Sequence, residues 1–428
     1  MNKIEVVEVR LWGKRVGAVS EVSQRPGFYQ FQYAPEFVSA DLSISPIMMP
    51  LDQKKRYSFP TLNQDTYHGL PGLLADSLPD KFGNALIDEY MARQSIHRNE
   101  ISSLQRLIYV GKRAMGALEF EPAIKDTSRP DASMPLQMAH LVEGARQALR
   151  GEFSAVAQDI IDVGSSAGGA RAKALIGWNP ETQEVVSGQF DLEPGYEHWL
   201  LKFDGVGDDG TLGHSKGFGR IEYAHYLMAK QAGIQMSECR LMEENRRAHF
   251  MTRRFDRKDN KKLHVQSLCG IAHLDFNVPY THSYEQYLRT ILELNIGASA
   301  MEQGWRRCVF NVLIRNCDDH TKNLAFLMNP TGQWSLAPAY DVCFSHNPAQ
   351  GKWTRQHQML VAGKAQGITK EDLLTLGSKF DINRPAEKFE LMRDVVSDWP
   401  MFAKEAGVPL EEVKRIAELQ ELLEKARV

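Results

Sequence analysis

The chain has 428 residues, 43% hydrophobic and 25% charged, the balance of an ordinary globular protein with length enough for two or three domains. A formal net charge of -3 excludes a chain-wide basic field that would bind nucleic acid by itself, while leaving room for local patches. The Met-Asn-Lys-Ile start carries no charged-then-apolar leader and no run of about 18 apolar residues occurs, so a soluble, cytoplasmic protein without membrane contact is expected.

Glu5 to Val19 reads as strand, turn, strand, its apolar alternation broken at Gly13-Lys14-Arg15 and Gly17. Phe28 to Tyr33 alternates again, and Pro35 ends it. Short apolar pieces around Leu42–Leu51 precede a helix over Lys81–Arg93. Ile124 to Ser133 is mostly polar, contains Pro130 and has no periodicity, which marks a domain boundary. Leu136–Ala148 has a helical pattern and Gly164–Gly169 is glycine-rich. Strands are predicted at Lys173–Trp178 and His198–Phe203, then an amphipathic helix over Ile221–Gly233 with Gly233 as its stop signal. Phe250–Phe255 reads as a further strand. After about Lys262 the pattern is mostly helical, apart from one hairpin, Leu324–Met328 and Gln333–Leu336, around Pro330-Thr331-Gly332. The five cysteines form no C-x-x-C pair, and Cys308 and Cys317 flank an apolar helical run, so buried thiols in a reducing compartment are expected. Pro409–Ala426 reads as a packing helix, and no internal repeat stands out. Strands and one helix followed by helices fit a two-lobed nucleotide-binding kinase, and also many other α+β proteins.

The most informative stretch is Asn316-Cys317-Asp318-Asp319-His320-Thr321-Lys322-Asn323. Asp318 and Asn323 have the spacing of a protein-kinase catalytic loop, where a carboxylate sits by the attacking hydroxyl and a neutral oxygen ligand holds Mg²⁺ on the phosphates. Asp341, in Pro338-Ala339-Tyr340-Asp341-Val342, follows across a short hairpin where a second metal-binding carboxylate is needed. A lone D-x-x-x-x-N is common; apolar helix, D-D-H-x-K-N, hairpin and Y-D-V together are much more specific. Upstream, Lys202 is the one charge on the apolar strand Trp199–Phe203, so it needs a partner, for which nucleotide phosphates and Glu222 are candidates. Glu222 in a first helical turn has a plain macrodipole role as the alternative. The run Gly164–Lys173, with Ala167, Gly168 and Gly169, could cradle phosphate with backbone N–H groups, although it is neither a Walker A nor a G-x-G-x-x-G.

Taken in order, S-x-G-G-A-R-x-K, h-L-K, I-E-Y with A-K-x-x-G-I, R-F-D-R, D-D-H-x-K-N and Y-D-V resemble the motifs of the HipA-type serine/threonine kinases of bacterial toxin–antitoxin systems. Gly72–Gly83 and Gly111–Phe120 are similar to that family's N-terminal subdomain, so the likeness runs from about Val6 to the C-terminus. The resemblance implies an α+β, two-lobed protein-kinase-like fold with a mostly helical C-terminal lobe, preceded by a small α/β N-terminal subdomain. The expected divisions are residues 1–125, 134–254 and 255–428. It implies ATP and Mg²⁺, with Asp318 handling the substrate hydroxyl's proton, Asn323 and Asp341 on the metal, and Lys202 on the α/β-phosphates. Arg253 and Phe255 would present backbone groups to the adenine, and Ser166 would be autophosphorylated, with the adjacent Ser165 as the alternative and Arg171 and Lys173 as candidate partners for the phosphoserine. Partners implied are a small helix-turn-helix antitoxin, operator DNA reached through that complex, and a protein substrate from the translation machinery, such as an aminoacyl-tRNA synthetase. Two departures matter: Asp319 stands where some members have glycine, and His320 and Lys322 compete for the γ-phosphate contact. A small-molecule kinase would use the same Asp, Asn and Asp; an inactive co-repressor scaffold would be expected to have lost one of Lys202, Asp318 or Asn323, and all three are present.

Overall fold

Alternation builds the first sheet. Strands β1 (Val6–Leu11) and β3 (Arg25–Tyr33) bury every second residue, Val7, Val9 and Leu11 on one and Tyr29, Phe31 and Tyr33 on the other, with β2 (Lys14–Val22) between them. β4 (Arg56–Tyr57) and β5 (Leu118–Glu121) complete the order β4-β3-β2-β1-β5. The computed structural model describes residues 4–79, 81–122, 134–150, 160, 172–206, 217–347 and 353–425. The predicted boundary at Ile124–Ser133 and the run from Gly164 to Arg171, with Ser166, Ala167, Gly168 and Gly169, lie outside them.

A second antiparallel sheet follows, in the order β7-β6-β8-β10-β9, from β6 (Lys173–Trp178), β7 (Val185–Ser187), β8 (Glu197–Lys202), β9 (Cys239–Glu244) and β10 (Arg247–Arg253). Helix α1 (Met138–Arg150) sets Leu141, Val142 and Ala145 in one core with Ile176, Trp199 and Leu201 of this sheet. Helix α2 (Phe218–Gln231) instead joins the helical part, burying Ala224 and Met228 with Trp305, Phe310 and Trp399. That part contains α3 (Tyr284–Glu293), α4 (Ala298–Leu313), α5 (Lys370–Lys379), α6 (Pro385–Ser397), α7 (Trp399–Glu405) and α8 (Leu410–Lys425). The fold is thus α+β, two-lobed and kinase-like, with a separate sheet region ahead of it.

Some elements differ from expectation. Pro35 begins a short helix, Pro35–Val38, at a position where proline's fixed φ suits the first turn. A ribbon of β11 (Arg257–Lys258) and β12 (Lys261–Lys262) leads into β13 (His264–Ser267), which pairs with β14 (Ala325–Met328) of the predicted hairpin and through it with β15 (Trp334–Leu336). His-Val-Gln-Ser offers one apolar residue in four, and Cys239–Glu244 is half charged, so neither shows an alternation to read.

Charged groups stitch the first sheet region to the rest. The buried Asp256 accepts two hydrogen bonds from Arg254, at 2.9 and 2.8 Å, one from Arg257 at 2.7 Å, and one from the Gly116 N–H at 2.8 Å. Burial opposes its ionisation, but the two guanidiniums outweigh burial and hold its pKa well below the ordinary carboxylate range. Asp76 accepts from both the N–H (2.6 Å) and the hydroxyl (2.7 Å) of Ser267. Among the described residues no helix is long and apolar enough to cross a membrane.

Candidate active site

β8 runs inward as Glu-His-Trp-Leu-Leu-Lys and ends on Lys202, opposite Lys173 of β6 and Phe250 of β10. α2 can lie close against β10 because Gly219 carries no side chain; a Cβ there would stand 2.0 Å from the Ala248 carbonyl oxygen. That approach brings Glu222 within reach: Lys202 Nζ donates to Glu222 Oε1 at 2.5 Å and also to Asp341 Oδ1. Burial works against the lysine's charge, but Asp341 and Glu222 outweigh it and raise its pKa above the ordinary value. Desolvation works against the charge of the half-buried Asp341 too, yet Lys202, Lys173 and His320 hold its carboxyl down to about 2. Asp341 sits in the left-handed region at φ 52°, and Asn316 Nδ2 fixes the turn by donating to its carbonyl at 3.0 Å.

The loop after α4 turns at Arg315, φ 55°, and delivers Asp318 with its side chain 49% exposed. Neighbours on several sides help hold it. Its N–H donates to Ser345 Oγ (2.9 Å), its carbonyl accepts from Asn323 Nδ2 (2.9 Å), and its Oδ1 accepts from Gln358 Nε2 (2.9 Å). The five-residue spacing therefore closes the loop on itself through the short turn Thr321–Asn323, a closure that uses the Asn323 amide nitrogen and not its side-chain oxygen. Asn316, Asp319, Asn323 and Asp341 line one crevice. Among the described residues no three His, Cys, Asp or Glu side chains cluster as a metal site. An amide oxygen and a carboxylate facing one crevice nonetheless suit Mg²⁺, which takes one or two protein ligands and fills its octahedron with water and phosphate.

The remaining predicted residues separate by role. His320 Nε2 lies 3.9 Å from Asp318 Oδ1. Lys322 turns away, its ammonium 5.3 Å over the Phe276 ring, while its carbonyl accepts from the Tyr340 hydroxyl at 2.7 Å. Arg253 and Phe255 lie where the second sheet gives way to the helical part; the Arg253 N–H is taken by the Glu238 carbonyl at 2.8 Å, and the Phe255 ring lies 5.6 Å from that of Tyr340. Asp319 is buried and serves as an anchor, accepting from Tyr284 Oη (3.0 Å) and the Gln358 N–H (2.8 Å) and pairing with His357 Nδ1 (3.0 Å). Sequence reasoning gave Asn316 no role and missed Ser345 and Gln358, which lie in no motif.

The fold is two-lobed and kinase-like, and it joins Lys202 to Glu222 and Asp341, and Asn323 to Asp318. The model of the HipA-like C-terminal domain matches residues 165–426, and that of the HipA N-terminal domain matches residues 7–121. The chain belongs to the HipA family. It is similar to a Sinorhizobium fredii protein named "Putative kinase Y4dM", 20% identical over 411 residues that cover 90% of this chain and 88% of that one. A Haemophilus influenzae protein named "Putative kinase" is 30% identical over 135 residues, 28% of this chain and 39% of that protein. The Shewanella oneidensis HipA, solved with HipB and its operator DNA, has a similar fold, with a TM-score of 0.67 and 16% identity across 98% of this chain and 96% of that one.

Proposed function

We propose that the chain is a serine/threonine-protein kinase that moves the γ-phosphate of ATP to a protein hydroxyl and acts as the toxin of a toxin–antitoxin pair. The observation that carries this reading is Lys202 held between Glu222 and Asp341, beside a loop that offers Asp318 to solvent. Lys202 is placed to pair with the α/β-phosphates, and Glu222 keeps its ammonium aimed into the cleft. The Arg253 carbonyl and Phe255 N–H take the adenine, since the Arg253 N–H is already engaged. Asn323 and Asp341 would hold Mg²⁺, which when bound neutralises charge on the phosphate oxygens. The substrate oxygen attacks the γ-phosphorus in line, its proton passes to Asp318, and the bond to the β-bridging oxygen breaks to release ADP. Of His320 and Lys322, we infer that His320, beside Asp318, meets the γ-phosphate, since the Lys322 ammonium lies over Phe276.

The same reading extends to partners. The Shewanella protein was solved with HipB and operator DNA, and we infer an equivalent small helix-turn-helix partner here, with DNA reached through it. A translation component such as an aminoacyl-tRNA synthetase is the inferred substrate, and Ser166 the inferred autophosphorylation site. Brief expression of wild type and Asp318→Asn, followed by phosphoproteomics, tests the reading. New phosphoserine or phosphothreonine on host proteins and on Ser166 with wild type alone supports it; label confined to a small molecule overturns it.

A further inference from the structure

The geometry points to Gln358 as the positioning residue of Asp318, held in place by the buried Asp319; this rests on the reading of Asp318 as proton acceptor. Gln358 lies forty residues beyond Asp318, on a stretch with neither helical nor strand periodicity, and is 3% exposed. Its Nε2 donates to Asp318 Oδ1 at 2.9 Å. The amide orientation follows from chemistry, since the reverse would set the amide oxygen against a carboxylate. Its Oε1 is buried and, among the described residues, meets no hydrogen-bond partner. A buried amide with an unmet acceptor carries a desolvation cost, which is tolerable where the donor end has a task.

The backbone of Gln358 is fixed from both sides. Its N–H donates to Asp319 Oδ1 at 2.8 Å, and its carbonyl accepts from the Tyr280 N–H at 2.9 Å. One residue earlier, His357 Nδ1 meets Asp319 Oδ2 at 3.0 Å; two residues later, the Leu360 N–H donates to the His282 carbonyl at 2.8 Å and its carbonyl accepts from the Tyr284 N–H at 2.9 Å. Asp319 thus explains itself. Where a glycine could offer no side chain, this carboxylate clamps the strip 357–360 beside the loop, and the strip presents Gln358 to Asp318. A neutral amide also has an advantage over a lysine: it orients the carboxylate while lowering its proton affinity less than a full positive charge would.

If Gln358 acts through Asp318, its removal should lower kcat and leave nucleotide binding alone. Gln358→Met, which keeps length and volume, should lower kcat about 10- to 100-fold with the KM for ATP unchanged. In an Asp318→Asn background the same change should have no further effect, because there is no carboxylate left to hold. Gln358→Glu, which replaces the donor by an acceptor, should lose at least as much kcat and serves if the Met variant fails to fold. Full kcat in either variant, or an equal loss with and without Asp318, would overturn the assignment. Failure of the underlying reading looks different: Asp318→Asn alone would then keep the wild-type rate.

Discussion

Around Lys202, two carboxylates close on one ammonium; at Asp318, the Gln358 amide and the Ser345 hydroxyl help hold a carboxylate that is half exposed. Asp256, between Arg254 and Arg257, belongs with the first kind. The difference follows from what each place has to do. A buried ion pair holds rigid geometry because losing one member strands the other in a low dielectric. A proton acceptor must meet an incoming hydroxyl, so it has to stay accessible, and a neutral hydrogen bond can aim it at less cost to its basicity than a salt bridge. Paired charges therefore serve rigid geometry here, and the Gln358 amide aims Asp318.

That contrast can be broken by substitution. Asp256→Ala leaves two buried guanidiniums without their acceptor and should cost about 3–5 kcal/mol of stability, read by urea unfolding. A cost near that of a surface change would mean that the cluster is solvated. The same carboxylate sets an acid response. Its pKa is depressed in the folded state, so its contribution is complete above the unfolded value and is lost as pH falls through the ordinary carboxylate range toward the folded value. Unfolding free energy measured across that range should therefore drop less steeply in Asp256→Ala than in wild type; parallel curves would refute the point.

Lys202→Met should cost somewhat less, about 2–4 kcal/mol, because Asp341 is partly exposed while Glu222 is not. Calorimetry should also show loss of Mg²⁺-nucleotide binding. Unchanged binding with a large drop in melting temperature would reduce the lysine to a structural role. Asp318→Asn should have the smallest effect on stability, within about 0.5 kcal/mol, since the side chain is half exposed and an amide oxygen can still accept from Gln358.

What the sequence revealed is what lies close together along it. Asp318 and Asn323 meet across a five-residue loop, and the one lysine of a buried strand had to find a carboxylate, so their spacing and type were informative. Glu222 stood open between a dipole role and a lysine partner, and its 2.5 Å contact with Lys202 could not be read from helix position. Gln358 was invisible because it reaches Asp318 from a stretch without periodicity, by a contact that the tertiary fold alone creates. The pairing of β13 with β14 was hidden likewise: the strand is four residues long and mostly polar. In the sequence Asp256 is one letter of R-F-D-R, yet in the fold it ties Gly116 of the first sheet region to the link between the lobes.

The most direct test of the account is transfer of label from γ-labelled ATP to protein serine or threonine by wild type and Asp318→Asn at equal Mg²⁺-nucleotide saturation. The account predicts transfer by wild type and a kcat lower by about 10²- to 10⁴-fold in the variant, with nucleotide affinity essentially kept. Equal rates in the two proteins, or a wild type that binds no Mg²⁺-nucleotide, would contradict it.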